Sequence, residues 1–298
     1  MTDPRMLIPR KGAKAALILL IWALLPSAFP ARAEFGTPSP VAVDGYAGHL
    51  MEPFISCDGK VLLFNNLNEP SENTDLHWAE RVSAARFRYR GKVEGANTPA
   101  LEGVPTMDCQ NNLYWVSPRS YDKTLSTIYR GTFAQGRVTN VELVEGVSRK
   151  TAGIVNFDVE VSPSGNELYI VDGLFNALGG PNSADIAYAV RANSGFRRPE
   201  DASSLFAKIN TSALEYAMAI SHDGLELFFT RMSGALFWRK LTIEHSVRAS
   251  TTAQWEPSRP IASIDGFVEG PTITADGKTL YFHKKVDGMF RLFMVTRP

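Results

Sequence analysis

Five carboxylates recur at comparable places in a chain of 298 residues: Glu52, Glu102, Asp158, Glu215 and Glu269. Each precedes a short apolar run that ends in a polar turn, and they lie 7, 8, 7, 9 and 8 residues before Gly59, Gln110, Gly165, Gly224 and Gly277. Two acids facing each other can cleave a glycosidic bond, one giving a proton while the other carries charge. Glu52, Asp158 and Glu215 are the candidates for that work. A rim of such groups can instead hold a cation, a sugar hydroxyl or a basic peptide. The structural alternative is that each acid accepts hydrogen bonds from neighbouring backbone, and unequal spacing favours it, because side chains in different pleat phases need not converge. Later loops add Arg119, Arg231, Lys284 and Lys285. Arg231 and Lys284 would suit an acidic saccharide or another carboxylate ligand, or serve as plain solvated charge.

Other chemistry finds little support. His49, His77, His222, His245 and His283 are scattered without metal-ligand spacing, and His222 falls in a turn at the opposite end from the acids. There is no G-x-S-x-G elbow, and Gly179-Gly180 runs into Pro181 rather than a helix, so it forms no phosphate loop. No metal or cofactor is expected. The two cysteines, Cys57 and Cys109, sit in corresponding turns of adjacent repeats, one position apart when Gln110 is aligned with the glycines. A disulfide between them would close a loop of about 50 residues, worth about 4 kcal/mol by chain entropy. It requires Cα atoms within about 7 Å, and adjacent turns can lie farther apart than that.

The elements that position these residues follow from a repeat. Ile55 to Phe64, Val161 to Ile170, Ile220 to Phe229 and Ile273 to Phe282 align without a gap, and Thr106 to Trp115 is a degenerate copy with Gln110 at the glycine position. Each copy reads as a strand, an Asp-Gly type turn that supplies positive φ, and a second apolar strand. Third strands are expected at Asp75–Ala79, Thr127–Arg130, Asp185–Ala189, Leu236–Arg239 and Arg291–Val295, and fourth strands at Arg137–Val144, Ser204–Ile209 and Ser258–Ile264. Four strands in about 53 residues is the size of a propeller blade. The prediction is an all-β, five-bladed β-propeller with four-stranded antiparallel blades near 52–100, 101–155, 156–213, 214–266 and 267–298. The last copy ends after three strands. The segment 36–44, through Pro40-Val41-Ala42-Val43, is expected to pair beside Leu292 to Val295 and close the ring.

The recurrent Ser-x-Asp-Gly, Leu-Tyr-Phe and Asp-Ile-Ala-Tyr-x pattern resembles the WD40-like repeat of TolB-type propellers, which are exported. The resemblance spans 52–298 and is clearest from Glu52-Pro53 to Phe64 with Asp75, and from Ser162 to Tyr188. It departs from TolB in having five copies rather than six and in the missing Asp-Gly of the second copy. It implies an exported, non-enzymatic binding or scaffolding module, holding an envelope protein partner or a small ligand on its channel face. The alternative is a carbohydrate-active enzyme working through channel carboxylates on a saccharide.

Residues 1–33 agree with export. Arg10, Lys11 and Lys14 precede the apolar run Ala15 to Leu25, which is too short to span a bilayer, and Ala31-Arg32-Ala33 has small residues where a signal peptidase reads. Cleavage after Ala33 and a periplasmic or secreted mature protein are expected, with no membrane span left. The 31 basic and 31 acidic residues balance, but this segment holds five of the bases and one acid. The body is therefore mildly acidic, which argues against nucleic acid as a partner.

Overall fold

The computed structural model describes residues 34–68, 74–175, 180–193, 195–234 and 238–298. The expected signal segment 1–33 and Leu236-Phe237 lie outside the described residues. Five four-stranded antiparallel sheets follow one another. Blade one comprises Met51–Ile55, Val61–Asn65, Leu76–Ser83 and Arg86–Lys92; blade two, Gly103–Met107, Asn112–Val116, Ile128–Ala134 and Arg137–Leu143. Blade three is Ile154–Val161, Glu167–Phe175, Pro181–Ala192 and Gly195–Arg197, joined to blade four by a single parallel pair, Ala184 with Leu214. Blade four is Leu214–Ile220, Glu226–Ser233, Lys240–Val247 and Arg259–Pro260; blade five has Val268–Ile273, Thr279–Val286 and Met289–Thr296. Its fourth strand comes from the other end of the chain. Ser39 and Pro40 pair with Met294 and Phe293, after which Ala42–Asp44 turns parallel to the outer strand of blade one.

The turns explain why the repeat folds this way. In blade one, Asp58 Oδ1 accepts from Ser56 Oγ at 2.7 Å and from Lys60 N at 3.0 Å, while Gly59, at φ 69°, donates its N–H to the Ser56 carbonyl. Blades four and five repeat this with Ser221, Asp223 and Gly224, and with Thr274, Asp276 and Gly277. Blade two revises the sequence alignment. Its left-handed turn residue is Asn111, at φ 64°, which bonds back to the Asp108 carbonyl, so Gln110 is not the glycine equivalent. Asn is the side chain that best tolerates this conformation after Gly.

The second strands read as unbroken apolar runs because both faces are covered by neighbouring blades. Leu62, Leu63, Phe64, Phe228, Phe229, Tyr281 and Phe282 are all fully buried. The core forms five clusters, one per seam, and the fifth packs Val41, Ile55, Leu62 and Phe87 against Tyr281 and Leu292. Inner strands touch in cyclic order, that of blade five lying against that of blade one, so the wheel closes around a channel.

Three strand assignments change. Blade four's third strand is Lys240–Val247, where Leu241 and Ile243 alternate into the core; the apolar residues before it drew the sequence reading too early. In blade three, Ser204–Ile209 is no strand. A short helix at Ala202–Leu205 and a turn pack Phe206 and Ile209 into the seam, and Gly195–Arg197 supplies the outer strand. Arg259–Pro260 is all that remains of the outer strand expected at Ser258–Ile264.

Candidate functional site at the channel mouth

Every inner strand is bulged near its start: between Met51 and Phe54, Gly103 and Thr106, Asn156 and Val159, Tyr216 and Ala219, and Glu269 and Thr272. A bulge re-aims the side chains beside it. Glu52, Val104, Ala217 and Gly270 take positive φ there, and the voids of the channel are lined at this level by Glu52, Asp158 and Glu160.

The five carboxylates separate into groups once Asn111 is taken as the turn residue of blade two. Glu52 and Asp158 each stand seven residues before their turn residue, Glu102 and Glu215 nine, and Glu269 eight. The pair at nine is structural. Glu102 accepts from Thr98 N at 2.8 Å, Thr98 Oγ1 at 2.6 Å and Ser117 Oγ at 2.9 Å. Glu215 repeats the first two contacts with Thr211 N at 3.1 Å and Thr211 Oγ1 at 2.7 Å, then takes Arg231 Nε at 2.8 Å. The preceding residue repeats as well. Asn97 and Asn210 each bond both the N–H and the carbonyl of a third-strand residue in the preceding blade, Leu76 or Ile186. The sequence Asn-Thr-x-Ala-Leu-Glu, at 97–102 and again at 210–215, is therefore an inter-blade clasp.

Arg231 belongs to that clasp. It also holds Glu244, Ser258 and the Ile209 carbonyl, which leaves no free face for a ligand. Lys284 lies at the rim in a 2.8 Å pair with exposed Asp265. Neither cation lines the voids beside or below Glu52 and Asp158.

The other three acids converge from blades one, three and five. Glu52 Oε1 accepts from Asn68 Nδ2 at 3.0 Å, and its Oε2 lies where a β-carbon on Gly270 would come within 2.7 Å, so blade five needs glycine there. Asp158 Oδ2 accepts from Ala217 N at 2.8 Å, whereas its Oδ1 is buried without a hydrogen-bond partner. Glu269 is held by the Tyr216 hydroxyl, which donates to Oε1, and by His283 Nε2, 3.3 Å from Oε2. The backbone N–H of Glu52 donates to His283 Nδ1 at 3.1 Å. Since an amide can only donate, Nδ1 is the bare nitrogen and the ring proton sits on Nε2, facing Glu269. Tyr216, His283 and Asn68 were not legible as site residues, because they come from other strands and loops. The one available signal is that His283 stands directly across the ladder from Glu269.

Burial dominates the electrostatics. It raises the carboxyl of Glu52, with the charge of Glu269 adding to it. Asp158 is raised well above the usual range by burial and then by Glu52's charge, against the pull of Ala217 N. One level deeper, burial pushes Glu160 up to about 8 despite hydrogen bonds from the Thr106 hydroxyl and Ile220 N. The channel is narrow. Its voids, about 20 Å³ beside Glu52 and Asp158 and about 30 Å³ below, have room for one or two waters each.

At the far end the two cysteines form a disulfide, Cys57 to Cys109, with Cα atoms 5.5 Å apart. Counted from Asp108 rather than Gln110, they occupy the same turn position in adjacent blades.

Neither a protein-family model nor any curated protein matches the sequence. Solved structures do. A structure titled as a glycoside hydrolase is similar over 90% of this chain and 92% of its own, at 10% identity and a TM-score of 0.58. A thermostable family-43 glycoside hydrolase is similar over 88% and 91%, at 12% identity and a TM-score of 0.55. TolB from Acinetobacter baumannii matches over 83% of this chain but only 54% of its own length, at 12% identity and a TM-score of 0.45. At such identities the likeness is one of fold. The β-propeller stands, and nothing in it singles out TolB.

Proposed function

We propose that the protein cleaves a glycoside at the mouth of its channel, with Asp158 as proton donor and Glu52 as its charged partner. One observation carries the reading: carboxylates from three blades meet at one end of the channel, and Asp158 presents a buried, unpartnered oxygen beside Glu52. Two buried acids that line one void do not both ionise near neutral pH, and the group that keeps the proton is the one able to give it away. Asp158, pressed by Glu52's charge as well as by burial, keeps it. Glu269, oriented by Tyr216 and His283, would bind sugar hydroxyls or steady positive charge developing on the ring. The voids beside Glu52 and Asp158 and below them admit only water, so a substrate would approach from the rim on the side of Asn68. Glycoside hydrolases among structures of similar fold support this reading over a TolB-like one. Residues 1–33 would direct export, giving a periplasmic or secreted enzyme.

The test is reducing-sugar release from a panel of polysaccharides and chromogenic glycosides. Release from one class is expected, with a loss of at least about 100-fold in Asp158→Asn and Glu52→Gln and unchanged β-sheet circular dichroism. No release from any substrate by folded protein overturns the proposal. It would favour the second reading, an exported binding or scaffolding propeller, which the narrow channel and the occupied oxygens of Glu269 favour. That reading expects saccharide binding without turnover, or an envelope protein retained on pull-down. Among the described residues no helix is long and apolar enough to cross a membrane.

A further inference from the structure

The turns at the far end of the channel share one more feature. The residue after Ser56, Asp108, Ser162, Ser221 and Thr274 is Cys57, Cys109, Pro163, His222 and Ala275 in turn. Pseudo-symmetry carries this position to the axis in every blade, and three of the five residues there bear metal-binding atoms. Cys57 Sγ, Cys109 Sγ and a ring nitrogen of His222 lie within 4.8 Å of one another, although they come from blades one, two and four. His222 and Cys109 are exposed and Cys57 half-buried, so solvent and ions reach the group. His222 makes no hydrogen bond to another described residue.

The scaffold beneath them is already fixed. Ser56 and Asp58 close the first turn, Asp108 Oδ1 accepts from Gln110 N and Asn112 N at 2.9 Å in the second, and Ser221 with Asp223 closes the fourth. Cys109 N donates to the Pro163 carbonyl at 3.0 Å, which ties blade two's turn to blade three's.

We propose that the reduced protein holds one thiophilic metal ion, zinc or a metal of similar preference, on Cys57, Cys109 and His222. The disulfide form offers only the imidazole. A dithiol reductant converts it: two electrons and two protons open the S–S bond to two thiols while the dithiol becomes its own disulfide, and the metal then displaces both protons. Two thiolates and one imidazole at about 2.3 and 2.0 Å from zinc fill three corners of a tetrahedron, and the fourth is open to water from the exposed side. Blade four thereby becomes linked to blades one and two across the channel exit, which the oxidised form does not achieve.

Cobalt(II) is the probe. Protein reduced with excess dithiol, freed of reductant without air and titrated with Co²⁺ should develop thiolate-to-cobalt absorption that saturates at one ion per chain and is discharged by Zn²⁺. Oxidised protein should show none. His222→Ala, reduced in the same way, should bind at least about tenfold more weakly, and Cys57→Ser should lose the absorption. Circular dichroism of the reduced protein is read alongside. Absence of the band in reduced, folded protein overturns the proposal. So does a titration indifferent to His222→Ala, including one produced by thiols in a chain that reduction has unfolded.

Discussion

Glu160 shows how much a single buried acid can say about this channel. Its folded value of about 8 lies far above the 4.5 of an exposed glutamate. Below pH 4.5 it is protonated in both states, and its contribution to stability is complete. As pH rises toward 8 the unfolded chain releases the proton that the folded chain retains, so stability falls across that window. Glu52 and Asp158 are raised as well and act in the same direction. Thermal melts taken from pH 4.5 to 8 should therefore show a declining midpoint, and Glu160→Gln should make the decline shallower by removing one titrating group. A Glu160→Gln slope equal to that of the parent protein would show that Glu160 carries its charge without cost. The same residue-scale view separates the acids by role: Glu102 has only neutral partners, Glu215 has an arginine, and Asp158 has an oxygen with none.

The clasp is a property of an element, the linker that delivers the chain from one blade's outer edge to the next blade's axis. In Glu215→Gln the linker loses the charge that faces Arg231, a guanidinium only 18% exposed, though Glu244 still pairs with it. A cost of about 2 kcal/mol follows, lowering the melting midpoint by roughly 5 °C. Glu102→Gln, with no ion pair to break, should cost less, and neither should reduce turnover. If both melt like the parent, the clasp is ornamental. Elements were largely legible in the sequence because short apolar runs and turn residues recur at the same offset. The two in-phase acids, Glu102 and Glu215, were hidden by counting from Gln110 when the chain turns at Asn111. The converging acids were harder still. An alternation rule assumes an unbroken pleat, and each inner strand is bulged where its acid must turn toward the axis. Blade four's third strand was misplaced for a different reason: the apolar stretch before Lys240 carries a stronger signal than the mixed Leu-Thr-Ile-Glu pattern of the strand itself.

A closed wheel has one seam that continuity of the chain does not secure, and here it lies between blades five and one. The disulfide does not help, because it joins the turns of blades one and two. The seam depends on the first described segment. Gly36 N donates to the Thr296 carbonyl at 2.8 Å and Val41 N to that of Leu292 at 2.9 Å. Val41 and Val43 then bury against Leu62 and Tyr281, and Phe35 lies under the Arg297 guanidinium at 4.8 Å. Arg297 reaches further, with a bidentate grip on Glu226 of blade four at 2.8 and 2.6 Å. Removing residues 34–46 strips the outer strand from blade five, opens the fifth core cluster and exposes a strand edge to other chains. The melting midpoint should fall by several degrees, and light scattering should show association. Reduction of the disulfide acts on a different seam, so its loss should add to that of the deletion rather than overlap with it. A deletion variant that melts like the parent would mean that the seam is held by side-chain packing between blades five and one alone. A double loss smaller than the sum would mean that the two fastenings restrain the same opening of the ring.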